Sequence, residues 1–370
     1  MKRHIITGGL GFLGSHLALR LARRGDHVTI LDLPGGDDRL LRALCRSIEI
    51  VGPNEYRPTS QDLQYVDPDN MELVRSTGRI SVVRGNATSG SDLTGALAVS
   101  AQGQVGVAAL DTIWSFACHA SPDRYKQAPV TTLRACSEGT HAAVDLAIQT
   151  GAKLVLASTS EVYGDPAMHP QPESYRGNVD PTGPRSMYDE GKRYAEAYVT
   201  ATLEPKQRAI VRIFNTIGPC SLSDGRMIPS FVRQAIALDK IHVDGDGTQT
   251  RSPIYVSDLL DGIEVVVDKG DGRPYNVGGE EEMSVGLVAH NVASLFRFTY
   301  GRKVEVVTGN PRCEQDPSRR LPDLSRVRAI GWKGPRLLAG SAIDRAASWL
   351  IDHAPAYGWK PVIRNPGGAS

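Results

Sequence analysis

A glycine-rich turn near the N-terminus separates an apolar run from a helical pattern. The run HIIT at 4–7 leads into TGGLGFLG, after which leucines recur at helical spacing until a second apolar run, HVTILD, at 27–32. A strand, a helix and a second strand in this order are typical of a parallel sheet, because parallel strands need a crossover connection. The N-terminal half is therefore predicted to be α/β.

Further apolar runs extend this pattern. They lie at 111–117, 153–159 and 209–215, with helix-like stretches between them. The predicted fold class is α/β: a Rossmann-type doubly wound parallel sheet with a smaller C-terminal α/β substrate domain. A loop rich in proline and glycine, at 164–184, is long enough that we expect it to shape a pocket.

Domain boundaries follow from where the pattern changes. We place the sheet domain at 1–216 and the smaller domain mainly at 217–370, where shorter strand-like pieces such as KIHVDG, PYNVGG and KVEVVTG mix with helical ones. The segment 252–265 is expected to return to the first domain. Polar, loop-like stretches predict insertions near 35–81 and 89–110.

Composition limits the kind of partner and the compartment. The chain has 370 residues, 41% of them hydrophobic, and a formal charge of +1, so it can bury a sizeable core and nucleic acid is not expected as its partner. Five cysteines without a CxxC pair indicate free thiols, and no metal site is expected. Without a recognisable signal peptide or membrane span, we expect a cytoplasmic protein that binds a small molecule.

The glycine turn and the end of the second run are the candidate cofactor site. Missing side chains there let the backbone approach a pyrophosphate at a helix N-terminus, although the spacing is one residue wider than GxGxxG. Asp32 ends the second run, where a carboxylate would bind a ribose and repel a 2′-phosphate, so NAD is favoured over NADP. A turn or capping role for Asp32 is the alternative. Candidate cofactor contacts at the turn are Gly8, Gly11, Phe12, Leu13 and Gly14.

A tyrosine and a lysine form the candidate catalytic pair. Tyr188 and Lys192 are four apart in SMYDEGKRYAE, which places both on one face of a helix. An ammonium beside a phenol lowers the pKa of the phenol, so Tyr188 would take a proton from a sugar hydroxyl as hydride leaves. A solvated helix face would explain the pair without the glycine motif. Thr159, Ser160 and Glu161 follow the run KLVLA, at a strand end where ligands bind in such sheets.

Together these segments resemble a known family. TGGxGFxG, STSEVYGDP, YxxxK, RIFNTxGP and GDGTQTR are similar to segments of the extended short-chain dehydrogenases/reductases. The stretch from Leu156 to Glu196 resembles the UDP-glucuronate decarboxylases, also called UDP-xylose synthases, and the resemblance covers nearly the whole chain. It implies NAD as cofactor, a UDP-sugar as substrate, a homodimer, and conversion of UDP-glucuronate to UDP-xylose through a 4-keto intermediate, with release of some UDP-4-keto-pentose.

The resemblance also implies roles for single side chains. Tyr188 would be the base toward the carbon-4 hydroxyl, with Lys192 tuning its pKa and contacting the ribose, and Thr159 bonded to that hydroxyl. Ser160 and Glu161 would face the carboxylate end of the sugar. Oxidation at carbon 4 makes a β-keto acid, whose carboxylate leaves as carbon dioxide. The related 4,6-dehydratases carry an acidic residue at the position of Ser160, so water elimination is disfavoured.

Substrate contacts are implied by the same matches. Arg251 matches an arginine that approaches the sugar, where it would hold a carboxylate or help to protonate carbon 5 through water, and a salt bridge between domains is the alternative. Tyr125, in ASPDRY, matches a tyrosine of the substrate pocket. A guanidinium suits a diphosphate, although surface arginines would also fit the pattern. The nucleotide-side matches are Asn215, Arg226 and Arg320.

Some positions depart from the family pattern. Cys136 replaces the asparagine of an NxxGT motif, and Asn86, a candidate cofactor contact, replaces an acidic residue near the adenine. Cys220 and Asp244 replace an arginine and a tyrosine on the nucleobase side, and IYHLASPASP has become IWSFACHASP. Cofactor and nucleobase contacts are therefore expected to differ from those of the family.

Two other functions stay open at this point. A nucleotide-sugar 4-epimerase of the same fold would use the same Tyr188 and Lys192, and its product would keep the carboxylate. A non-catalytic NAD-binding sensor would have kept the fold without the chemistry, because a fold alone does not confer activity.

Overall fold

The computed structural model describes residues 1–34, 79–101, 110–221, 224–310 and 316–360, together with the strands at 48–51, 55–58, 63–66 and 73–76. The strands are β1 (Arg3–Thr7), β2 (His27–Asp32), β3 (Ile48–Val51), β4 (Glu55–Pro58), β5 (Leu63–Val66), β6 (Leu73–Ser76), β7 (Arg79–Arg84), β8 (Thr112–Ser115), β9 (Lys153–Thr159), β10 (Arg208–Ile213), β11 (Thr216–Ile217), β12 (Lys240–Asp244), β13 (Thr250–Arg251), β14 (Ile254–Tyr255), β15 (Pro274–Val277), β16 (Met283–Ser284) and β17 (Glu305–Asn310). The helices are α1 (Phe12–Arg23), α2 (Gly90–Ala101), α3 (Pro122–Gln127), α4 (Pro129–Cys136), α5 (Glu138–Thr150), α6 (Ser186–Thr202), α7 (Met227–Leu238), α8 (Val256–Lys269), α9 (Val285–Tyr300), α10 (Ser325–Ala329) and α11 (Ala339–Asp352), with short 3₁₀ turns at Ser160–Tyr163, Pro205–Gln207 and Ala354–Tyr357.

The central sheet has the strand order β15-β10-β9-β8-β1-β2-β7-β4-β3. Its first seven strands are parallel, and β4 and β3 add an antiparallel edge. From β1 the chain builds the sheet outward through β2 and β7, and then crosses to β8 on the other side. This order confirms the predicted doubly wound sheet, and it creates a switch point between β1 and β8, where ligands bind beyond the carboxyl ends of the strands.

Neighbouring residues of the central strands face opposite layers. Ile5 and Leu154 belong to the apolar core that includes residues of α2, α5 and α6, whereas Ile6 and Val155 belong to the core shared with α1 and α8. All four side chains are fully buried, because helices cover both faces of the parallel sheet. The helices on both faces thus support the carboxyl ends of the central strands, from which the loops extend.

The C-terminal elements form a smaller α/β layer that shares this core. β12 pairs with β17 and packs against α7 and α9, and buried Ile241 and Val292 belong to the same apolar cluster as Ile6. α8, which contains most of the segment 252–265, packs against α1 and β10.

One strand lies in a different place from the prediction. The segment PYNVGG was assigned to the smaller domain, but β15 within it pairs with β10 at the edge of the large sheet. Tyr275, Asn276 and Val277 are almost fully buried there, and α8 and α10 pack against the strand. Burial against these two helices decides the position, which local sequence does not encode.

The insertion predicted near 89–110 is also different in part. Residues 90–101 form α2, a regular crossover helix between β7 and β8 that packs against β2 and α5. In the range 35–81, residues 79–81 already belong to β7, and residues 35–47 lie outside those the structure describes. No helix among the described residues is long and apolar enough to cross a membrane.

Candidate active site

A cavity of about 1170 Å³ opens at the carboxyl ends of the central strands. It extends from the turn after β1 across β8 and β9 to the C-terminal elements. Of the seventeen residues predicted for the site, sixteen line it: Gly8, Gly11, Phe12, Leu13, Gly14, Asp32, Asn86, Thr159, Ser160, Glu161, Tyr188, Lys192, Asn215, Arg226, Arg251 and Arg320. The fold therefore brings together residues that are up to 312 positions apart in the chain. The remaining predicted residue, Tyr125, is not among the lining residues.

The glycine turn needs its glycines for steric reasons. Gly8 has a φ of +68°, and a Cβ built on it would lie 2.7 Å from the Cα of Ala117. A Cβ on Gly14 would lie 2.6 Å from the carbonyl oxygen of Gly8. Gly11 precedes α1 as its N-cap, so the free amides at the start of this helix point to an open backbone surface. This is a cradle of the kind that holds a dinucleotide pyrophosphate.

Gly8→Ala is expected to destabilise the fold by about 1–3 kcal/mol, because the added Cβ meets backbone and the φ is positive. Binding of NAD should weaken as well, since the turn has to shift. Thermal unfolding and calorimetric titration with NAD measure both effects. Gly90→Ala is the matched control, because a Cβ on Gly90 would meet no atom within 4 Å. Equal stability of the two variants would contradict this prediction.

Asp32 holds the glycine turn as well as lining the cavity. Its Oδ2 accepts a hydrogen bond from the Leu10 amide at 2.8 Å, and its Oδ1 accepts one from the Leu33 amide at 2.9 Å. Burial raises the pKa of Asp32, while these two backbone bonds act in the opposite direction. At the same end of the cavity, Asn86 accepts the Thr88 amide at 3.0 Å. Both side chains thus lie where an adenosine ribose would be expected.

The tyrosine and the lysine lie on the inner face of α6. Both are buried, and the Lys192 Nζ donates to the Ala157 carbonyl at 2.8 Å and lies 5.9 Å from the centroid of the Tyr188 ring. Burial raises the pKa of Tyr188 well above its usual value, and the hydrogen bond with Thr159 only partly opposes this. The net direction is opposite to the one predicted from the lysine alone, because the loss of hydration outweighs it.

Tyr125 lies behind the catalytic pair instead of in the pocket wall. Its ring stacks on the ring of Tyr188, with centroids 5.4 Å apart and planes 6° apart. The Tyr125 side chain is almost fully buried, and burial raises its pKa. The stacking supports the plane of the Tyr188 ring, and a direct contact of Tyr125 with substrate stays a prediction.

A buried carboxylate joins two guanidinium groups at the sugar end of the cavity. The Glu161 carboxylate contacts Arg320 and lies 2.6 Å from the Arg185 Nη2. Burial alone would raise the pKa of Glu161, but Arg320 and Arg185 outweigh it and the net direction is downward. Arg320 was predicted on the nucleotide side. It lies beside Glu161, because a buried guanidinium needs a counter-charge, and its contact with the nucleotide stays a prediction.

Arg185 is a site residue that the sequence analysis missed. It is buried and lies three positions before Tyr188, so the available signal was its place as the N-cap residue immediately before α6. Its Nη1 also lies 3.5 Å from Asp316.

Arg251 reaches the same cluster from the smaller domain. Its Nη2 donates to Asp316 at 2.6 Å and its Nη1 to the Pro317 carbonyl at 3.0 Å. Burial lowers the pKa of Arg251 to about 10, so it stays charged at neutral pH. The side chain lines the cavity, and its ion pair with Asp316 lies within the predicted smaller domain, so its contact with the sugar stays a prediction.

The loop 164–184 was predicted to shape the pocket, but it does not line the cavity. The loop instead forms hydrogen bonds with the segment 316–321, which contains the lining residues Asp316 and Arg320. The Gln171 amide donates to the Leu321 carbonyl at 2.8 Å, the Leu321 amide donates to the Gln171 Oε1 at 2.8 Å, and Ser318 donates to Asp165 at 3.0 Å. The loop thereby positions Asp316 and Arg320 from outside.

Asn215, Arg226 and Asp244, from the predicted nucleotide side, also line the cavity. Asn215 Oδ1 is buried there without a hydrogen-bond partner in the described structure, as expected for an atom that receives a ligand donor. Arg226 precedes α7, and its Nη1 lies 3.0 Å from Asp224. Asp244 lines this end, whereas Cys220 is fully buried with a φ of +61°.

The sequence is similar to a known family and to curated proteins. Residues 4–278 match the NAD dependent epimerase/dehydratase family. UDP-glucuronic acid decarboxylase 3 of Arabidopsis thaliana is 34% identical over 336 residues, covering 90% of this chain and 84% of the relative. UDP-glucuronic acid decarboxylase 1 of Xenopus tropicalis is also 34% identical over 336 residues, covering 90% and 68%.

A solved structure shares the fold. The dTDP-glucose 4,6-dehydratase of Streptomyces venezuelae, solved with NAD bound, matches with a TM-score of 0.70 at 23% identity and covers 97% of this chain and 98% of its own. The parallel sheet, the glycine turn and the match over 4–278 agree. This chain belongs to the NAD-dependent epimerase/dehydratase family.

Proposed function

We propose that the protein decarboxylates UDP-glucuronate with NAD, through a 4-keto intermediate, and forms UDP-xylose with release of some UDP-4-keto-pentose. Relatives that are 34% identical over 90% of the chain are UDP-glucuronic acid decarboxylases. The observation that carries the proposal is the buried group of guanidiniums beside Tyr188 and Thr159, which suits a sugar that bears a carboxylate.

The charge count of this group favours an acidic ligand. Three guanidinium groups, from Arg185, Arg251 and Arg320, face three carboxyl groups, from Glu161, Asp316 and Asp189. Burial and Glu161 raise the pKa of Asp189 to about 7, so the cluster carries a positive surplus whenever Asp189 is protonated. A substrate carboxylate would complete the balance.

The residues around the cavity fit NAD. The turn at Gly8 and Gly14 leaves no room for side chains where a pyrophosphate would approach, and Asp32 at the end of β2 would accept ribose hydroxyls. The carboxylate also disfavours NADP, whose 2′-phosphate it would repel. When bound, NAD supplies a hydride acceptor and a positive charge.

Tyr188 is the proposed general base for the carbon-4 hydroxyl. Its phenol is bonded to Thr159, and Lys192 lies over its ring, so added positive charge in the cavity would favour the phenolate. Tyr188 then accepts the hydroxyl proton, and the oxidised sugar is a β-keto acid. Its bond from carbon 5 to the carboxylate breaks, carbon dioxide leaves, and the electron pair collects on the carbon-4 oxygen.

The remaining steps restore carbon 5 and carbon 4. Arg251 lines the cavity and would orient a water that protonates carbon 5, and Tyr188 would return its proton to the carbon-4 oxygen as hydride returns. Ser160 stands at the position where an acid would be needed to expel a hydroxyl, and a serine cannot do this. Decarboxylation is the reaction that these side chains support.

The proposal is tested by incubating the purified protein with UDP-glucuronate and NAD and analysing the products by mass spectrometry. We expect a UDP-pentose, with a smaller amount of UDP-4-keto-pentose. A product that retains the carboxylate would instead indicate a 4-epimerase. If no sugar nucleotide is changed although NAD binds, the protein is a sensor.

We further propose a homodimer through α4, α5 and α6. Four large apolar side chains are exposed on these helices: Val130 and Leu133 on α4, Ile148 on α5 and Tyr194 on α6. Helix α6 packs against both of the others, and Leu133 lies beside Gly191, one turn before Tyr194. A shared apolar surface of this kind supports a symmetric interface next to the catalytic helix.

The double variant Val130→Glu/Ile148→Glu is expected to weaken dimerisation at least about 100-fold, because charges would be buried at the interface. Sedimentation velocity at micromolar concentration measures the change. Phe298→Glu is the matched control, since Phe298 is 80% exposed on α9. If the parent protein sediments as a monomer, this interface does not exist.

We also propose that the protein works in the cytoplasm. Cys118, Cys136 and Cys220 are free in the structure, as suits a reducing compartment. Fractionation of the source cells with antibodies to the chain tests this localisation.

A further inference from the structure

Two cysteines meet at the wall of the catalytic cavity. Cys118 follows β8, and Cys136 ends α4, yet their Sγ atoms are 3.4 Å apart. Cys118 lines the cavity and is only half-buried, whereas Cys136 is 2% exposed. Both cysteines lie in segments, IWSFACHASP and the motif at Cys136, where this chain departs from the family pattern that it otherwise resembles. The pair is therefore not part of the family pattern described above.

The contact between the two thiols favours a thiolate on one of them. The hydrogen bond from Cys118 lowers the pKa of Cys136 to about 7, with a further contribution from the Lys192 ammonium against the effect of burial, whereas the same bond and burial raise the pKa of Cys118. A thiolate is the reactive form of cysteine toward peroxides and disulfides. Cys118 is the sulfur that opens to the cavity, and Cys136 behind it is the sulfur that ionises more readily, so the two sulfurs in contact form a candidate redox-sensitive dithiol.

We propose that Cys118 and Cys136 form a disulfide when the protein meets a hydroperoxide, and that this bond reversibly restrains the catalytic site. One thiolate attacks the peroxide oxygen, the O–O bond breaks, and a sulfenic acid forms while hydroxide leaves and is protonated to water. The second sulfur then attacks the sulfenic sulfur, its proton and the sulfenic hydroxyl depart as a second water, and the S–S bond closes. Two thiols are oxidised, and one hydrogen peroxide is reduced to two waters.

The two cysteines pack against both catalytic elements. A disulfide brings the sulfurs to about 2.05 Å, so the 3.4 Å separation must shrink by more than 1 Å. Cys136 packs directly on the catalytic helix, since a Cβ built on Gly191 would lie 3.0 Å from the Cβ of Cys136. On the other side, Ala117 next to Cys118 packs on Gly8. We therefore expect the bond to link the segment against the helix of Lys192 to the segment against the glycine turn, and to restrict both.

The test treats the full-length reduced protein with increasing hydrogen peroxide and maps peptides without reduction. We expect a crosslinked peptide that joins Cys118 to Cys136, which dithiothreitol removes. Turnover should fall by about tenfold as the crosslink accumulates and should return with dithiothreitol, because shifts of about 1 Å in catalytic groups are costly. Cys118→Ser and Cys136→Ser should each abolish the crosslink and the reversible loss of turnover.

Cys220→Ser is the control variant. Cys220 is fully buried, and burial alone raises its pKa, so this variant should keep the full response. The peptide map needs no sugar nucleotide, and it therefore tests the disulfide independently of the proposed decarboxylation. The inference would be overturned if no crosslinked peptide forms at the highest hydrogen peroxide concentration. It would also be overturned if Cys118→Ser loses as much turnover on peroxide treatment as the parent protein does.

Discussion

Tyr188→Phe is expected to lower kcat for UDP-glucuronate by about 10²–10⁴-fold, the range that proton transfer by a positioned side chain contributes. The variant keeps the ring that stacks on Tyr125 and loses only the hydroxyl that bonds to Thr159. Binding of NAD and the melting temperature should therefore change little. Steady-state kinetics and calorimetric titration with NAD separate these effects.

The control for this variant is Tyr300→Phe, which also removes one phenol hydroxyl. Tyr300 donates to Asp352 at 2.8 Å on the C-terminal helices, away from the cavity. Its kcat should match that of the parent. A Tyr188→Phe enzyme with parental kcat would show that another group moves the proton.

Glu161→Gln is expected to reduce the free energy of unfolding by about 3 kcal/mol, because it leaves the guanidiniums of Arg185 and Arg320 buried without their shared carboxylate. Turnover should fall too, since the cluster would rearrange next to Ser160. Urea denaturation gives the stability change. An amide of nearly the same size separates the loss of charge from the loss of volume.

The pH dependence of that stability loss has a definite sign. The pKa of Glu161 is lowered in the folded chain from its ordinary value of 4.5, so its stabilisation is present above that value and is lost as the pH falls through the folded pKa. The gap between Glu161→Gln and the parent should therefore narrow in acid. A gap that is constant across this range would contradict the ionic explanation.

Glu305→Gln is the matched control for charge loss. Glu305 pairs with Lys240 at 3.2 Å, but both side chains are about half or more exposed to water. Such a surface pair contributes less than about 1 kcal/mol. A loss of similar size in both variants would show that burial of the Glu161 cluster has no special effect.

Much of the fold could be predicted because its signals are local. The runs at 4–7, 27–32 and 153–159 became β1, β2 and β9 to within one residue, since apolar runs between turn signals leave few alternatives. Gly8 and Gly14 could be assigned to a tight turn for the same reason, because glycines directly after an N-terminal strand indicate a close turn into the following helix. The resemblance then supplied positions far apart in the chain, such as Arg251, that line the same cavity.

Other features depend on contacts between distant segments. The sequence did not indicate that β15 joins the large sheet, that Tyr125 stacks beneath Tyr188, or that Arg320 pairs with Glu161 across 159 positions. The direction of the Tyr188 pKa shift also differed, because burial depends on everything packed around the ring.

The amino-acid order by itself therefore determined the alternating strands and helices, the glycine turn and the placing of Tyr188 and Lys192 on one helical face, since each of these depends on neighbours within a few residues. Only the tertiary structure decided which charges share a buried site, which thiols touch and which hydroxyl loses its hydration. Those properties depend on distances between segments that are remote in the chain, and on the low polarity that packing creates around them.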